Sequence, residues 1–243
     1  MSRSLFLLFL FMAIIPRQMQ AQDLPVNYDE SKIPAYTLPD PLRMADGKRI
    51  TTKEQWMKVQ RPLMLQLYKE NVYGKFPGPP PEIFFKTLST DSMAMKGKAI
   101  RKQVRISFNT ADSATYIDVL LYIPASHLKP VPVCLGLNFN GNHTASPDHD
   151  INITKRWVRE DADHSHQAAD SGRGTESSRW PVEEMIKRGY AVATAYYGDM
   201  EPDYDSGWTT GLRTTLAKQL NMPANEWSAI GAWAWGLCRI VDY

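Results

Sequence analysis

Across residues 131–139 the chain places Val131, Val133, Leu135 and Leu137 in alternation with the small or compact Cys134, Gly136 and Asn138. A strand built this way is expected to be buried on both faces, with helices close against the small-residue side. Residues 190–197 are apolar enough to predict a second buried strand. Between the two, Ser178 and Pro181 open a helix with Glu183 and Glu184 in its first turn and Lys187 and Arg188 in its last, and Gly189 closes it. That order of charges complements the helix dipole. A strand, a long loop, a helix and a strand in this order suit a parallel pair joined by a crossover.

Upstream the pattern changes. Residues 82–88, 98–108 and 115–123 predict three strands separated by turns. In the middle one, basic or polar residues alternate with Ile100, Val104, Ile106 and Phe108, the period of a half-exposed antiparallel strand. Thr51-x-x-Glu54 is a capping-box pattern. Pro62 splits the helix that follows into one ending near Gln60 and another ending near Asn71. Residues 140–178 and 198–223 predict long irregular stretches. A last helix carries Trp227, Ile230, Ala234, Leu237 and Val241 at helical spacing. The whole reads as a mixed sheet, antiparallel strands turning parallel.

A formal net charge of +2 points to neither nucleic acid nor an anionic membrane as partner. Arg3 and the apolar run from Leu5 to Ile15 have the layout of a secretory signal peptide over residues 1–21, with cleavage expected after Ala21. The mature chain is therefore expected to be secreted or periplasmic, without a membrane anchor. Residues 22–50 form a proline-rich leader, and residues 51–243 a single folded region. Of the two cysteines, Cys134 falls in a strand pattern and Cys238 on the stripe of the last helix. Buried free thiols are preferred here over a disulfide.

Three segments are distinctive in combination. They are Asn138-Phe139-Asn140-Gly141-Asn142-His143-Thr144, Arg173-Gly174-Thr175-Glu176-Ser177-Ser178-Arg179-Trp180-Pro181, and Arg188-Gly189-Tyr190 through Tyr197-Gly198-Asp199. Behind them lies Trp227-Ser228-Ala229-Ile230-Gly231-Ala232-Trp233-Ala234-Trp235-Gly236-Leu237. The series resembles the bacterial branch of the glucuronoyl esterases, carbohydrate esterases that cleave 4-O-methyl-glucuronoyl esters on xylan. The resemblance implies an α/β-hydrolase fold and a serine acyl-enzyme, with glucuronoxylan or a lignin–carbohydrate ester as substrate and no metal or organic cofactor. It places the nucleophile in a Gly-x-Ser-Arg-x-Gly-Lys turn after the tryptophan-rich helix, with the acid and histidine later still. The sequence contains no Gly-x-Ser. Gly236-Leu237-Cys238-Arg239 imitates such a turn, but Ile240 stands where glycine is needed and the segment is helical. The chain is therefore expected to be the N-terminal half of an α/β-hydrolase, cut before the nucleophile elbow, with no catalytic residue of its own and no activity alone. The apolar stripe of its last helix would then lie uncovered.

Candidate site residues come from the loops. Phe139, Asn140 and Gly141 leave the end of a strand, where backbone N–H groups of this fold stabilise an oxyanion. A tight turn whose Asn side chains satisfy loop amides explains them equally well. Arg173 and Arg179 suit a uronate carboxylate, although ion pairs locking the long loop are preferred. Trp180 and the Tyr196–Tyr197 pair can stack on sugars or simply fill the core. His143 is read as structural. Asp148, His149, Asp150, Asp161, Asp163, His164 and His166 match no compact metal-ligand spacing, so a solvated acidic loop is preferred and no metal is assigned. An acetylxylan esterase on the same scaffold and a non-catalytic carbohydrate-binding pseudoenzyme are the alternatives.

Overall fold

The computed structural model describes residues 27–108, 115–126, 130–159 and 165–243. The signal-peptide reading of residues 1–21 lies outside them. The chain divides into two units, Met1–Thr51 and Thr52–Tyr243. In the described part of the first, the backbone is largely irregular, with a tight reversal closed by a bridge between Arg43 and Arg49. It also holds a short turn, Glu30–Lys32, whose cap Asp29 accepts the Ser31 N–H at 3.1 Å.

The second unit opens with a capping box one residue later than expected. Gln55 N–H donates to Thr52 Oγ1 at 3.2 Å and Thr52 N–H to Gln55 Oε1 at 3.3 Å. The helix that follows is not split at Pro62. It runs on as alternating α and π turns: Lys53–Gln55, Trp56–Gln60, α1 (Arg61–Tyr68) and Lys69–Tyr73. Arg61 N–H reaches back to Trp56 O, a widened π register, so the N–H that Pro62 lacks falls where the register is already changing. Gly74, at φ 76, ends the segment.

Five strands form one sheet in the order β1-β2-β3-β5-β4. They are β1 (Ile83–Met93), β2 (Ala99–Phe108), β3 (Tyr116–Pro124), β4 (Val133–Asn138) and β5 (Ala191–Tyr196). The pairs β1–β2, β2–β3 and β3–β5 are antiparallel, and β4–β5 is parallel. The mixed sheet is as expected. Helix α2 (Val182–Lys187) makes the crossover between β4 and β5, and Gly189 follows it at φ 82.

The two faces of the sheet close differently. On one, Ile106, Phe108, Val119 and Ala195 pack against Met200, Leu216, Trp235 and Ile240. Short α3 (Leu212–Thr215) and the long α4 (Ala229–Val241) supply this layer. Helix α4 turns Gly231, Ala232, Trp235, Gly236, Arg239 and Ile240 inward. Its small residues allow close approach: a Cβ on Gly236 would lie 2.4 Å from Met200 Sδ. Ile230, Ala234 and Val241 consequently point outward, with Val241 73% exposed. Cys238 shares that outer side and is a free, exposed thiol, as is Cys134. Both are free as preferred, but neither is buried.

On the other face the half-exposed reading of β2 fails. Arg101, Gln103 and Ser107 are all buried, because the loop after β4 folds back across them. Arg101 pairs with Asp148 and, at 3.2 Å, with Asp150. Gln103 donates to Asp150 O at 2.9 Å and accepts Asn152 N–H at 2.7 Å. Strand β4 is also less buried than expected. Val133 is 53% exposed, because β4 lies at the end of the sheet and pairs with β5 alone. Its small-residue side does receive a close neighbour, as the Trp180 ring rests on Gly136.

Candidate active-site cleft

Strands β4 and β5 run parallel and end side by side, with Asn138 opposite Tyr196. The crevice beyond the carboxyl ends of parallel strands is where open α/β sheets take ligands. Here the chain leaves β4 through Phe139 and Asn140 and turns at Gly141. The φ of 103 at Gly141 is open to glycine, and a Cβ there would meet His143 Nδ1 and Thr154 Cγ2 at 3.0 Å.

A buried polar network fixes this turn from beneath. Gly141 N–H donates to Asn138 Oδ1 at 2.9 Å. Asn138 Nδ2 donates to Asn142 Oδ1 at 2.6 Å and to Thr194 Oγ1 at 3.0 Å. Asn142 Nδ2 donates to Asp118 O at 2.8 Å, and Asp118 N–H donates to Asp199 Oδ2 at 2.9 Å. Burial raises the Asp199 carboxyl to about 7, and the neighbouring Asp118 charge pushes the same way. Arg105 holds Asp118 in a bidentate pair at 2.8 and 2.7 Å. His143 is buried in the same loop, and burial lowers its pKa, with Arg173 adding to the effect.

Above the network lies an open cleft of about 390 Å³, lined by Phe139, Asn140, Arg159, Glu176, Arg179, Tyr197 and Asp203. Phe139 is 54% exposed and its ring lies 5.2 Å from that of Tyr197. Asn140 Nδ2 donates to Glu176 Oε1 at 3.1 Å. Arg179 stands 3.9 Å from the same carboxylate oxygen, with its side chain 73% exposed. Arg159 pairs with Asp203 at 2.6 Å. The cleft thus offers an aromatic face, two guanidinium groups and two carboxylates. None of its lining residues is a serine, threonine or cysteine.

Of the six residues singled out from sequence, Phe139, Asn140 and Arg179 meet in this cleft. Gly141 lies just beneath, its N–H already committed to Asn138. Arg173 is elsewhere: Nη1 donates to Asp148 O at 2.7 Å and Ile151 O at 3.0 Å, and Nε to Asp170 at 2.8 Å. These bonds tie the long loop together. Trp180 lines a separate cleft. Of the Tyr196–Tyr197 pair, weighed as sugar-stacking or core, Tyr197 lines the cleft although its side chain is almost wholly buried, while Arg159 and Asp203 were not predicted as cleft residues. Tyr197 and Asp203 follow the end of β5, so the crevice rule applied to β5 as well as β4 would have found them. Nothing in the local sequence marks Arg159. Among the described residues no three His, Cys, Asp or Glu side chains gather to hold a metal ion. His166 stacks on Trp157 at 5.1 Å, while Asp161, Asp163 and His164 lie outside the described residues.

No protein-family profile matches the chain. It is 41% identical over 228 residues to carbohydrate esterase MZ0003 from an unidentified prokaryote, a match covering 92% of this chain and 52% of that protein. The solved glucuronoyl esterase from Solibacter usitatus superposes with a TM-score of 0.77 at 40% identity, over 88% of this chain and 55% of that one. A promiscuous CE15 esterase from a marine bacterial metagenome gives 0.74 at 41% identity, over 89% and 55%. The CE15 glucuronoyl esterase from Teredinibacter turnerae gives 0.63 at 25%, over 91% and 50%. The resemblance read from the motifs holds. The chain is a relative of the CE15 glucuronoyl esterases with their α/β-hydrolase fold, and it spans about half the length of the relatives it matches.

Proposed function

We propose that this relative of the CE15 glucuronoyl esterases forms the substrate-orienting part of an exported carbohydrate ester hydrolase. The whole protein acts on glucuronoyl esters of xylan. The observation that carries this reading is the meeting of Phe139, Asn140 and Arg179 at the carboxyl ends of β4 and β5, where this class of sheet receives ligands.

In that protein a serine hydroxyl attacks the ester carbonyl while a histidine takes its proton. The alcohol leaves as the acyl-enzyme forms, and water then releases the uronic acid. The residues of this chain bind and orient. The exposed ring of Phe139 gives an apolar surface for a sugar or an aromatic alcohol, and the Arg179 guanidinium suits the carboxylate that appears on hydrolysis. The Asn138–Asn142 network holds the turn at the cleft floor.

The test is hydrolysis of a methyl ester of 4-O-methyl-glucuronate by a full-length form, set against an acetylated xylan. Faster turnover of the glucuronoyl ester is expected, and Phe139→Ala should raise KM about fivefold with kcat little changed, the pattern of lost uniform binding. A preference for acetyl groups would make the protein an acetylxylan esterase. Binding of either polymer without hydrolysis would make it a non-catalytic module. The chain itself, lacking a Gly-x-Ser, should turn over neither.

A further inference from the structure

A second cleft, of about 800 Å³, opens between the β1–β2 turn, the Ser146–Asp148 stretch and the start of α2. None of the hydrogen-bond networks described above needs the cleft to be open. Trp180 forms part of its wall. The tip of the indole is clamped over Gly136, where a Cβ would come within 3.0 Å of Cη2. Any residue larger than glycine at position 136 would push against the ring. The ring is only partly buried, and its N–H donates to no group among the described residues. It is therefore a pre-oriented aromatic surface that a ligand can cover at little entropic cost.

The rim carries both signs of charge. Lys96 and Lys98 face Asp148, Glu183 and Glu184 across the opening. Lys98 already pairs with Glu183 at 3.0 Å, and Asp148 is held by Arg101. A polyanion would meet three carboxylates and a polycation two ammonium groups. A neutral chain of hydroxyls, each able to donate and accept, fits both. The rim is also strained. Met95 and Lys96 take φ values of 55 and 60, followed by Gly97 at 81. Left-handed backbone is unfavourable at side-chain-bearing residues, and the tight turn between β1 and β2, closed by the Ala94–Ala99 bridge, imposes it. Here it sets Met95 and Lys96 at the edge of the opening.

The turn after the long loop divides the two clefts. Glu176 and Arg179 line the first, and Ser177 and Trp180 line the second. We infer that the second cleft is a distal subsite in which a neutral, linear sugar chain stacks on Trp180 beyond the turn that borders the ester-binding cleft. The choice of a xylan-derived probe rests on the function proposed above; the chemical class of ligand rests on the lining.

The experiment is titration of the chain with xylohexaose, followed through the indole N–H signals in NMR, with Trp180 assigned by Trp180→Phe. The Trp180 signal should shift saturably. Ser177→Trp, a change at an exposed residue that crowds the cleft beside Trp180, should weaken binding at least about tenfold, of the order expected for a lost stacking contact. Trp208→Ala, an exposed ring that lines neither cleft, should leave it unchanged. An oligogalacturonate of equal length should bind more weakly. A silent Trp180 signal, a shift that survives Ser177→Trp, or a preference for the polyanion would each overturn the assignment. Sugar binding at Trp180 in a full-length protein that hydrolyses no ester would sink the esterase reading and leave this one standing. Ester hydrolysis with a silent Trp180 would do the reverse.

Discussion

The two faces of the sheet are closed by different physics. Against α4 the seal is apolar: Trp235 is fully buried, with its ring 5.3 Å from Phe108 and 6.3 Å from Trp227. Against the long loop an apolar cluster of Leu120, Tyr122, Ala145 and Ile151 is joined by a polar seal, with Arg101 only 3% exposed beneath Asp148 and Asp150. Helix packing of the first kind depends on shape and on area removed from water. The second kind depends on charge, and so on pH. Asp148, whose carboxyl is held below its ordinary range, belongs to this second seal, so the seal should be the pH-sensitive part of the face it closes.

The largest expected effect lies on the apolar side. Trp235→Ala should cost about 3–5 kcal/mol in urea unfolding, with little dependence on salt or pH. A strongly pH-dependent deficit would break the contrast. Arg101→Met comes next, at about 2–3 kcal/mol near neutrality, because it removes the charged hydrogen bonds to Asp148 and Asp150 and leaves the half-buried Asp148 without its cation. Burial alone would raise Asp148, but the Asp150 N–H and the Arg101 guanidinium outweigh it and hold the carboxyl below its ordinary range. A depressed folded pKa gives stability that is present above the unfolded value of 3.8 and lost as pH falls through the folded one. The Arg101→Met deficit should therefore close in acid, while the Trp235→Ala deficit should not.

Asp199 runs the other way. Its folded pKa of about 7 lies above the unfolded 3.8, so the native state keeps a proton that the unfolded chain has released. Stability should fall as pH rises from about 4 to 7 on this account. Asp199→Asn should match the parent below that window and exceed it by about 2 kcal/mol above it, discounted from the full linkage value for relaxation at a buried site. Equal stabilities at pH 8 would refute the assignment. The smallest effect belongs to Gly136→Ala, about 1 kcal/mol from overpacking, with a change in tryptophan fluorescence as Trp180 is pushed from β4.

This division also decides what could be read in advance. Strands β2, β3 and β5 carry apolar periodicity, so their existence and order followed from residues such as Val104, Ile106 and Phe108. Helix α2 announced itself through Pro181, Glu183 and Gly189. The polar seal left no such trace. Arg101 and Gln103 look like solvent-facing residues of an alternating strand until a loop some fifty positions away supplies their partners. The rotation of α4 was hidden for a related reason. Its glycines and alanines select the inward face by close approach, which a count of large apolar residues cannot detect. In the cleft, Phe139, Asn140 and Arg179 were legible from motif positions. Arg159 was not, because its place depends on how the loop folds back.

The outward side of α4 and the outer strand β4 each carry a free, exposed sulfhydryl, Cys238 and Cys134. The chain therefore comes with its own reporters. A maleimide dye reacts with either without engineering, and the rate at which each is capped registers whether its patch of surface is open to solvent. Whatever polypeptide comes to lie over the helix or extends the sheet would be recorded as a slowed alkylation of Cys238 or Cys134 respectively, with the other thiol serving as the internal clock.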